Sequence, residues 1–319
     1  MGLSLTNPAQ QRAMAERSPF GRLLMVCGMI RYRFFLYAGL LPYLLGAAWA
    51  RAMEGAFVAG IFWLGLAGVI LAVIGVEAFN EYFDSRMGTD RVFNPEDLPP
   101  MSDAVLWLGV AAFAGALAVG VYLTAVGGWP ILAFALLGGA AAIFYVAPPV
   151  RWAYRGLGEL VIGLSYGPWM VLGSLYLHTR TVTWSALWAS LVPGLLIMSL
   201  AVINAIPDFH QDSLVGKRNL VVRLGRARAV WLYIALAAAG LVVVAAGVAA
   251  GVFPLGCLSA FAALPMLTAS ARRAARAHES PRQLVPAIRN MVTCYLVAVT
   301  AFTLAILLHE WLQSPWTTE

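Results

Sequence analysis

Two segments of the sequence place amide and carboxylate side chains where long apolar runs end. The first is FNEYFDSRMGTD, residues 79–90, and the second is NAIPDFHQD, residues 204–212. Residues four apart lie on one face of a helix, so Asn80 shares a face with Asp84, and Asn204 shares one with Asp208. Oxygen ligands of this kind are the ones that Mg²⁺ prefers. The pattern therefore indicates a magnesium site at the ends of two helices.

Basic residues lie close to both acidic segments. Carboxylates alone would repel a diphosphate, but carboxylates that hold Mg²⁺ beside guanidinium and ammonium groups would bind one, because the metal bridges phosphate oxygens and the cations pair with the others. The basic residues are Arg86, Arg91, Arg151, Arg155, Lys217, Arg218 and Arg223. Together the two sets predict a diphosphate-binding site.

The elements that must position these residues are membrane-spanning helices. The 319-residue chain is 61% hydrophobic and only 11% charged, whereas a soluble domain has about 25% charged residues. Apolar runs recur that are long enough to cross a bilayer, and only helices or closed barrels satisfy their backbone there. We predict an all-α protein with nine spans around a central cavity, at residues 34–50, 57–83, 103–125, 130–147, 157–177, 184–206, 229–250, 253–270 and 287–309.

The distribution of charge predicts the orientation of these spans. With the N-terminus in the cytoplasm, only Arg51 and Arg180 among the 21 Lys and Arg residues fall outside, as the positive-inside rule expects. We therefore expect an integral protein of a bacterial inner membrane, with the N-terminus and the site cytoplasmic and the C-terminus outside. The expected organisation is a cytoplasmic segment 1–33, a transmembrane domain 34–309 and a tail 310–319.

The two acidic segments also repeat one another. They end spans 2 and 6 of the prediction, four spans apart, which is how a duplicated four-helix unit would look. Polar side chains are costly near a bilayer, so a functional role is the default for Asn80 and Asn204. The sequence shows no soluble basic module, which excludes nucleic acid as an expected partner.

At the level of motifs, the sequence resembles the UbiA superfamily of intramembrane prenyltransferases. The segments NEYFDSRMGTD and NAIPDFHQDSLVGKRNLVVRLG resemble its two aspartate-rich motifs. Residues 144–174, FYVAPPVRWAYRGLGELVIGLSYGPWMVLGS, resemble the stretch after the fourth helix in the menaquinone branch, the 1,4-dihydroxy-2-naphthoate prenyltransferases. The chain departs from the pattern at Pro207, where many relatives have a basic residue.

The resemblance implies a role for each residue of the motifs. The implied Mg²⁺ ligands are Asn80, Asp84, Asp90, Asp208 and Asp212. The implied diphosphate-binding residues are Asn80, Arg91, Arg151, Arg155, Asn204 and Lys217. The implied catalytic residues are Asp84, Asp208, Arg155 and Tyr154. An arginine at the first span contacts diphosphate in relatives, and here it is either Arg31 or Arg33.

The implied activity is the Mg²⁺-dependent transfer of a polyprenyl group from polyprenyl diphosphate to an aromatic acceptor in the membrane. The branch favours 1,4-dihydroxy-2-naphthoate in menaquinone biosynthesis, while 4-hydroxybenzoate, homogentisate or another lipid acceptor remains an alternative. A secondary transporter is a more remote alternative, because transporters place ionisable sites near the bilayer midplane on broken helices. A phospholipid-forming phosphotransferase would concentrate its aspartates in one motif, and a non-catalytic scaffold would not need paired Asn/Asp sets.

Overall fold

The computed structural model describes residues 33–87 and 102–313, apart from the side chains of residues 33–37, 84–85, 87 and 310–313. The described chain is helical and contains no strand, which confirms the predicted all-α class. Its helices are α1 (Arg33–Glu54), α2 (Ala59–Met87), α3 (Asp103–Gly127), α4 (Trp129–Phe144), α5 (Gly158–Thr179), α6 (Trp184–Ala205), α7 (Phe209–Leu214), α8 (Leu220–Leu224), α9 (Arg226–Ala249), α10 (Leu255–Ala277) and α11 (Pro281–Gln313).

Seven helices of the described chain are long and apolar enough to cross a membrane: α2, α3, α5, α6, α9, α10 and α11. This result confirms an integral membrane protein. Helix α1 is not among the seven, and α4 has 16 residues, a length of about 24 Å against a hydrocarbon core of about 30 Å. The count of nine spans and the division into two four-helix halves therefore remain predictions.

Hydrogen bonds between helix ends show which ends lie together. At one end of the bundle, which we call the far end, Arg180 Nη2 donates to the carbonyl of Val126 at 3.5 Å, joining the end of α5 to the end of α3. At the same end the N–H of Val58 donates to His178 Nδ1 at 3.2 Å, which joins the start of α2 to α5.

The opposite end of the bundle, which we call the site end, is held by ion pairs. Arg86 pairs with Asp103 at 2.6 Å, which joins the end of α2 to the start of α3. Arg226 at the start of α9 pairs with Glu279, just beyond the end of α10, at 3.0 Å. Helices α2, α4 and α6 all end here, so the described part of the first acidic segment (residues 79–87), the second acidic segment and the basic turn that follows α4 lie at one end of the bundle.

Glycines allow the helices to pack closely. A Cβ at Gly167 would lie 2.7 Å from Gly194 Cα, and one at Gly163 would lie 3.2 Å from the carbonyl oxygen of Gly194. The spacing of Gly163 and Gly167 predicts such an approach between helices, and the structure confirms it for α5 and α6. Near the crossing, α5 widens into a π-turn over Ser165–Trp169, which includes Pro168.

Candidate active site

A cavity of about 550 Å³ lies among α1–α5. Along α2 its lining runs from Gly65 near the far end to Asn80 at the site end, a distance of about 22 Å at the rise of a helix. Tyr43 and Leu177 line the far part, and the walls are mostly apolar. The lining of this cavity comes from the first five helices, so the cavity lies to one side of the bundle.

Asn80 is the residue of the first acidic segment that the structure places against the cavity. Its side chain is half-buried, and its Oδ1 atom is buried with no hydrogen-bond partner in the described part of the protein. Leaving a buried acceptor unsatisfied costs free energy, so this oxygen is suited to a ligand. Asp84 lies one helical turn further along α2, with its side chain outside the described residues.

Other predicted residues fall outside the described part of the protein. These are Arg31, Asp90, Arg91 and the side chain of Arg33. Their assignments, like that of Asp84, remain predictions. Within the described residues, no group of three or more His, Cys, Asp or Glu side chains is arranged to hold a metal.

The second acidic segment forms the end of α6 and the start of α7. Asn204 and Asp208 are half-buried, and Asp208 precedes the first residue of α7. The carbonyl of Asp208 accepts the N–H of Asp212 at 2.8 Å, so the turn itself sets the spacing between the two aspartates. Both side chains are thereby brought to the site end of the bundle.

Asp212 is buried, with an exposed fraction of 2%, and both of its carboxylate oxygens are engaged. Lys217 Nζ lies 3.3 Å from Oδ1, and Asn219 Nδ2 donates to Oδ2 at 2.6 Å. Burial raises the pKa of Asp212, while the Lys217 ammonium and the hydrogen bonds from Lys217 and Asn219 oppose that shift. The structure therefore brings together the predicted Asp212 and Lys217 as a pair within one loop.

A basic turn connects the cavity to this loop. The chain leaves α4 at Tyr145, which lines the cavity, and the carbonyl of Tyr145 accepts the N–H of Ala153 at 3.0 Å. Arg151 adopts a left-handed backbone with φ of 53°, and its guanidinium lies 5.4 Å from the ring centre of Tyr154. Its Nε atom is buried without a partner in the described chain.

Arg223 joins the basic turn, residues 145–157, to residues 208–220, which we call the acidic loop. Its Nη2 atom donates to the carbonyl of Arg155 at 2.8 Å, and its Nε atom donates to the carbonyl of Arg218 at 2.9 Å. The N–H of Arg218 in turn donates to the carbonyl of Tyr154 at 3.3 Å. Gly156 has φ of 74°, and a Cβ there would collide with the Arg223 side chain. The two loops thus form one unit, in which the exposed Arg155 side chain donates to Pro149 O at 3.2 Å.

Sequence reasoning missed two residues of this unit. Asn219 caps α8 through Oδ1, which accepts the N–H of Val222 at 2.8 Å, and binds Asp212 through its amide. The capping role has a sequence signal, an Asn directly before the apolar run LVVRL. Glu159 lies within residues 144–174, the stretch that resembles the menaquinone branch. Nothing in the sequence shows that its buried carboxylate contacts the acidic loop.

Replacing Arg223 with methionine removes two charge-assisted hydrogen bonds and keeps a long side chain. We expect Arg223→Met to lower kcat/KM for prenyl transfer by about tenfold, because both bonds are exposed to solvent. Together they are worth about 1.4 kcal/mol, at the low end of about 0.5–1.5 kcal/mol for each bond, and that energy corresponds to a factor of about ten. Steady-state assays in lipid measure the effect. Arg228→Met is the matched control, since Arg228 is an exposed arginine on α9; equal losses in both variants would contradict the bridging role.

Comparison with known proteins agrees with the resemblance that the sequence motifs show. The family model described as the UbiA prenyltransferase family matches residues 39–292. A 1,4-dihydroxy-2-naphthoate octaprenyltransferase of Mycobacterium tuberculosis is 31% identical over 272 residues, which cover 79% of this chain and 85% of that protein. A 2-carboxy-1,4-naphthoquinone phytyltransferase of Synechocystis is 27% identical over 253 residues, with 76% and 80% covered.

The fold also matches a solved structure. The apo structure of a UbiA homolog from Aeropyrum pernix K1 superposes with a TM-score of 0.61 and 18% sequence identity, covering 86% of this chain and 98% of that one. At this identity the likeness concerns the fold alone.

Proposed function

The chain belongs to the UbiA prenyltransferase family, and from this premise we propose that it transfers a polyprenyl group from polyprenyl diphosphate to 1,4-dihydroxy-2-naphthoate, in menaquinone synthesis, with Mg²⁺. The enzyme class follows from the family. The naphthoate acceptor is proposed because several relatives, among them the Mycobacterium tuberculosis and Bacillus subtilis proteins, bear that acceptor in their names.

One structural observation carries the proposal: a long apolar cavity ends at a polar group that has no hydrogen-bond partner among the described residues. The cavity suits an apolar tail, because burying apolar surface is favourable and the lining presents few polar atoms to it. At its site end lies Asn80 Oδ1, which meets no hydrogen-bond donor in residues 33–87 and 102–313 as described. A substrate with an isoprenoid chain and an anionic head matches both ends.

The oxygen ligands available at the site support Mg²⁺ as the bound cation. Asn80 offers an amide oxygen that no described residue engages, and Asp208 offers a half-buried carboxylate at the same end of the bundle. Both are the hard oxygen ligands that Mg²⁺ takes. Asn80, Asp84, Asp90 and Asp208 would hold the ion. Asp212 would join them through the lone pairs that Lys217 and Asn219 leave on its two oxygens. When bound, Mg²⁺ stabilises the charge that develops on the departing diphosphate.

The basic residues of the site would bind the diphosphate head, and tyrosines of the cavity would stabilise the reacting carbon. Arg151, Arg155 and Lys217 would pair with diphosphate oxygens that the metal does not hold. In the reaction the C–O bond between the prenyl chain and the diphosphate breaks. The bonding electron pair leaves with the diphosphate, and the prenyl chain becomes an allylic cation. Tyr145 and Tyr166 line the cavity, and their ring faces would stabilise that cation.

The acceptor ring completes the transfer. A carbon of the electron-rich naphthoate ring attacks the allylic carbon, and loss of the proton from that ring carbon restores the aromatic ring. The carboxylate leaves as CO₂, and a proton from water takes its place on the ring. Tyr82 also lies near the acidic segment, but its hydroxyl donates to Asp103 at 3.2 Å and its ring lies 3.7 Å below the Arg86 guanidinium. We therefore assign cation stabilisation to the tyrosines of the cavity.

The orientation of the protein is part of the proposal. We place the N-terminus and the site end in the cytoplasm and the C-terminus outside, in a bacterial inner membrane. The support is the positive-inside rule, together with the position of Arg180 at the far end of the bundle.

A product assay on the purified protein in lipid tests the function. The reaction contains geranylgeranyl diphosphate, Mg²⁺ and a mixture of 1,4-dihydroxy-2-naphthoate, 4-hydroxybenzoate and homogentisate, and mass spectrometry identifies the products. We expect a prenylated naphthoquinol that disappears with EDTA and returns with excess Mg²⁺. Prenylation of another acceptor would overturn the naphthoate assignment, and activity that survives EDTA would overturn the metal.

A further inference from the structure

Glu159 is a buried carboxylate to which the proposed reaction assigns no role. It lies in the first turn of α5 with an exposed fraction of 3%. Its Oε1 atom accepts the N–H of Leu220 at 3.1 Å, across 61 residues of sequence. Its Oε2 atom is buried and has no hydrogen-bond partner within the described chain. Burying a carboxylate with one unsatisfied oxygen is costly, so stability alone does not explain an acid here.

The contact with Leu220 connects Glu159 to the acidic loop. Leu220 is the first residue of α8, and the preceding Asn219 donates to Asp212 at 2.6 Å. Lys217, two residues earlier, lies 3.3 Å from the other oxygen of Asp212. The Leu220 backbone thus directly sets the position of Asn219, while the N–H of Lys217 also donates to the Asp212 carbonyl at 2.8 Å.

The backbone before Glu159 brings it close to this loop. A Cβ at Gly158 would lie 2.9 Å from Ala153 Cα and 3.2 Å from the Tyr145 ring. Only a glycine at this position lets the start of α5 pack against the basic turn. The carboxylate that follows therefore projects from a tightly held backbone, which is the property a positioning group needs.

We propose that Glu159 is a positioning residue for the reaction: by accepting the Leu220 N–H it holds the segment 217–220 so that Asp212, Lys217 and Asn219 stand ready for the metal and diphosphate. The inference rests on the proposed function for its catalytic consequence. Groups that orient metal ligands in this way typically change metal affinity or activity by about 10–100-fold when they are removed.

Two substitutions at Glu159 separate its possible roles. Glu159→Gln keeps an oxygen acceptor for the Leu220 N–H and nearly the same shape, whereas Glu159→Leu removes the acceptor. We expect Glu159→Leu to raise the Mg²⁺ concentration for half-maximal activity by about 10–100-fold and Glu159→Gln to stay within about threefold of the native enzyme. Glu54→Leu, an exposed acid at the end of α1, is the control and should change neither quantity.

A third variant removes the donor instead of the acceptor. Leu220 occupies the first position of α8 after an extended Asn219 with ψ of 175°, and proline is tolerated at that helix position and after such a residue. Leu220→Pro deletes the N–H that Glu159 accepts. We expect it to reproduce the effect of Glu159→Leu, and the double variant to show no further loss, as a shared interaction requires.

Hydrogen–deuterium exchange of peptides covering residues 212–224 provides a readout that does not depend on turnover. We expect faster exchange in Glu159→Leu and native exchange in Glu159→Gln. Native exchange in Glu159→Leu, additive losses in the double variant, or an equal loss in Glu159→Gln would each overturn the inference. If the native protein transfers no prenyl group to any acceptor, the proposed function fails, while the exchange experiment still decides the contact.

Discussion

Asp208→Asn is expected to lower kcat for prenyl transfer by about 10²–10³-fold, the loss seen when one group that stabilises developing negative charge is removed. Asp208 lies within the second acidic segment, half-buried at the site end of the bundle. Asparagine keeps the size of the side chain and one oxygen but removes the charge that would hold Mg²⁺. Single-turnover assays at saturating donor, with Mg²⁺ varied, measure the effect on chemistry separately from metal binding.

A matched substitution controls for the loss of an aspartate at the same end of the molecule. Asp103 begins α3 and pairs with Arg86, and its side chain is 71% exposed. We expect Asp103→Asn to stay within about twofold of native activity, because an exposed ion pair contributes about 1 kcal/mol at most. Full activity in Asp208→Asn, with native thermal stability, would remove Asp208 from the site. Asp84→Asn is expected to behave like Asp208→Asn.

Gly167→Ala is expected to destabilise the protein by about 1–3 kcal/mol, the usual cost of an added methyl group in a packed interior. The added Cβ would lie 2.7 Å from Gly194 Cα and 2.9 Å from the Ser190 carbonyl oxygen, which are backbone atoms that cannot move independently of α6. Helices α5 and α6 must therefore separate. Thermal unfolding in detergent should show a lower Tm, and less of the variant should accumulate in the membrane.

Gly60→Ala provides the contrasting control. Gly60 lies in the first turn of α2, and a Cβ there would meet no atom within 4 Å. Alanine is favoured over glycine in a helix by about 1 kcal/mol, so the Tm should stay the same or rise. A Tm for Gly167→Ala equal to that of Gly60→Ala would show that the crossing of α5 and α6 accommodates a side chain.

The helical plan of the protein follows closely from hydrophobicity. The run predicted at 184–206 is α6, Trp184–Ala205, and the run at 103–125 is α3, Asp103–Gly127. Boundaries are less predictable where apolar patterning ends before the helix does. The predicted span 229–250 belongs to α9, which begins earlier, at Arg226, directly after Gly225 with φ of 80°. The buried Arg226 side chain there pairs with Glu279 and faces the Phe209 ring.

The site residues show the same distinction between what local sequence predicts and what contacts between distant segments decide. Asn80 and Asp208 could be proposed because their types and spacing are visible in the sequence. Arg223 was visible only as a nearby cation, and its bridge to Arg155 spans 68 residues. Glu159 was read only as part of a motif, because the sequence does not indicate that its carboxylate meets Leu220.

The sequence by itself therefore determined the all-helical membrane class, the location of the acidic segments and, through its motifs, the family. These properties depend on hydrophobicity and residue spacing, which are local. The tertiary structure alone decided that the cavity lies among α1–α5, that Asp212 is paired within its own loop, and that Arg223 and Glu159 hold that loop in place. Such contacts arise only when distant segments pack together, because a hydrogen bond between them depends on the position of both backbones.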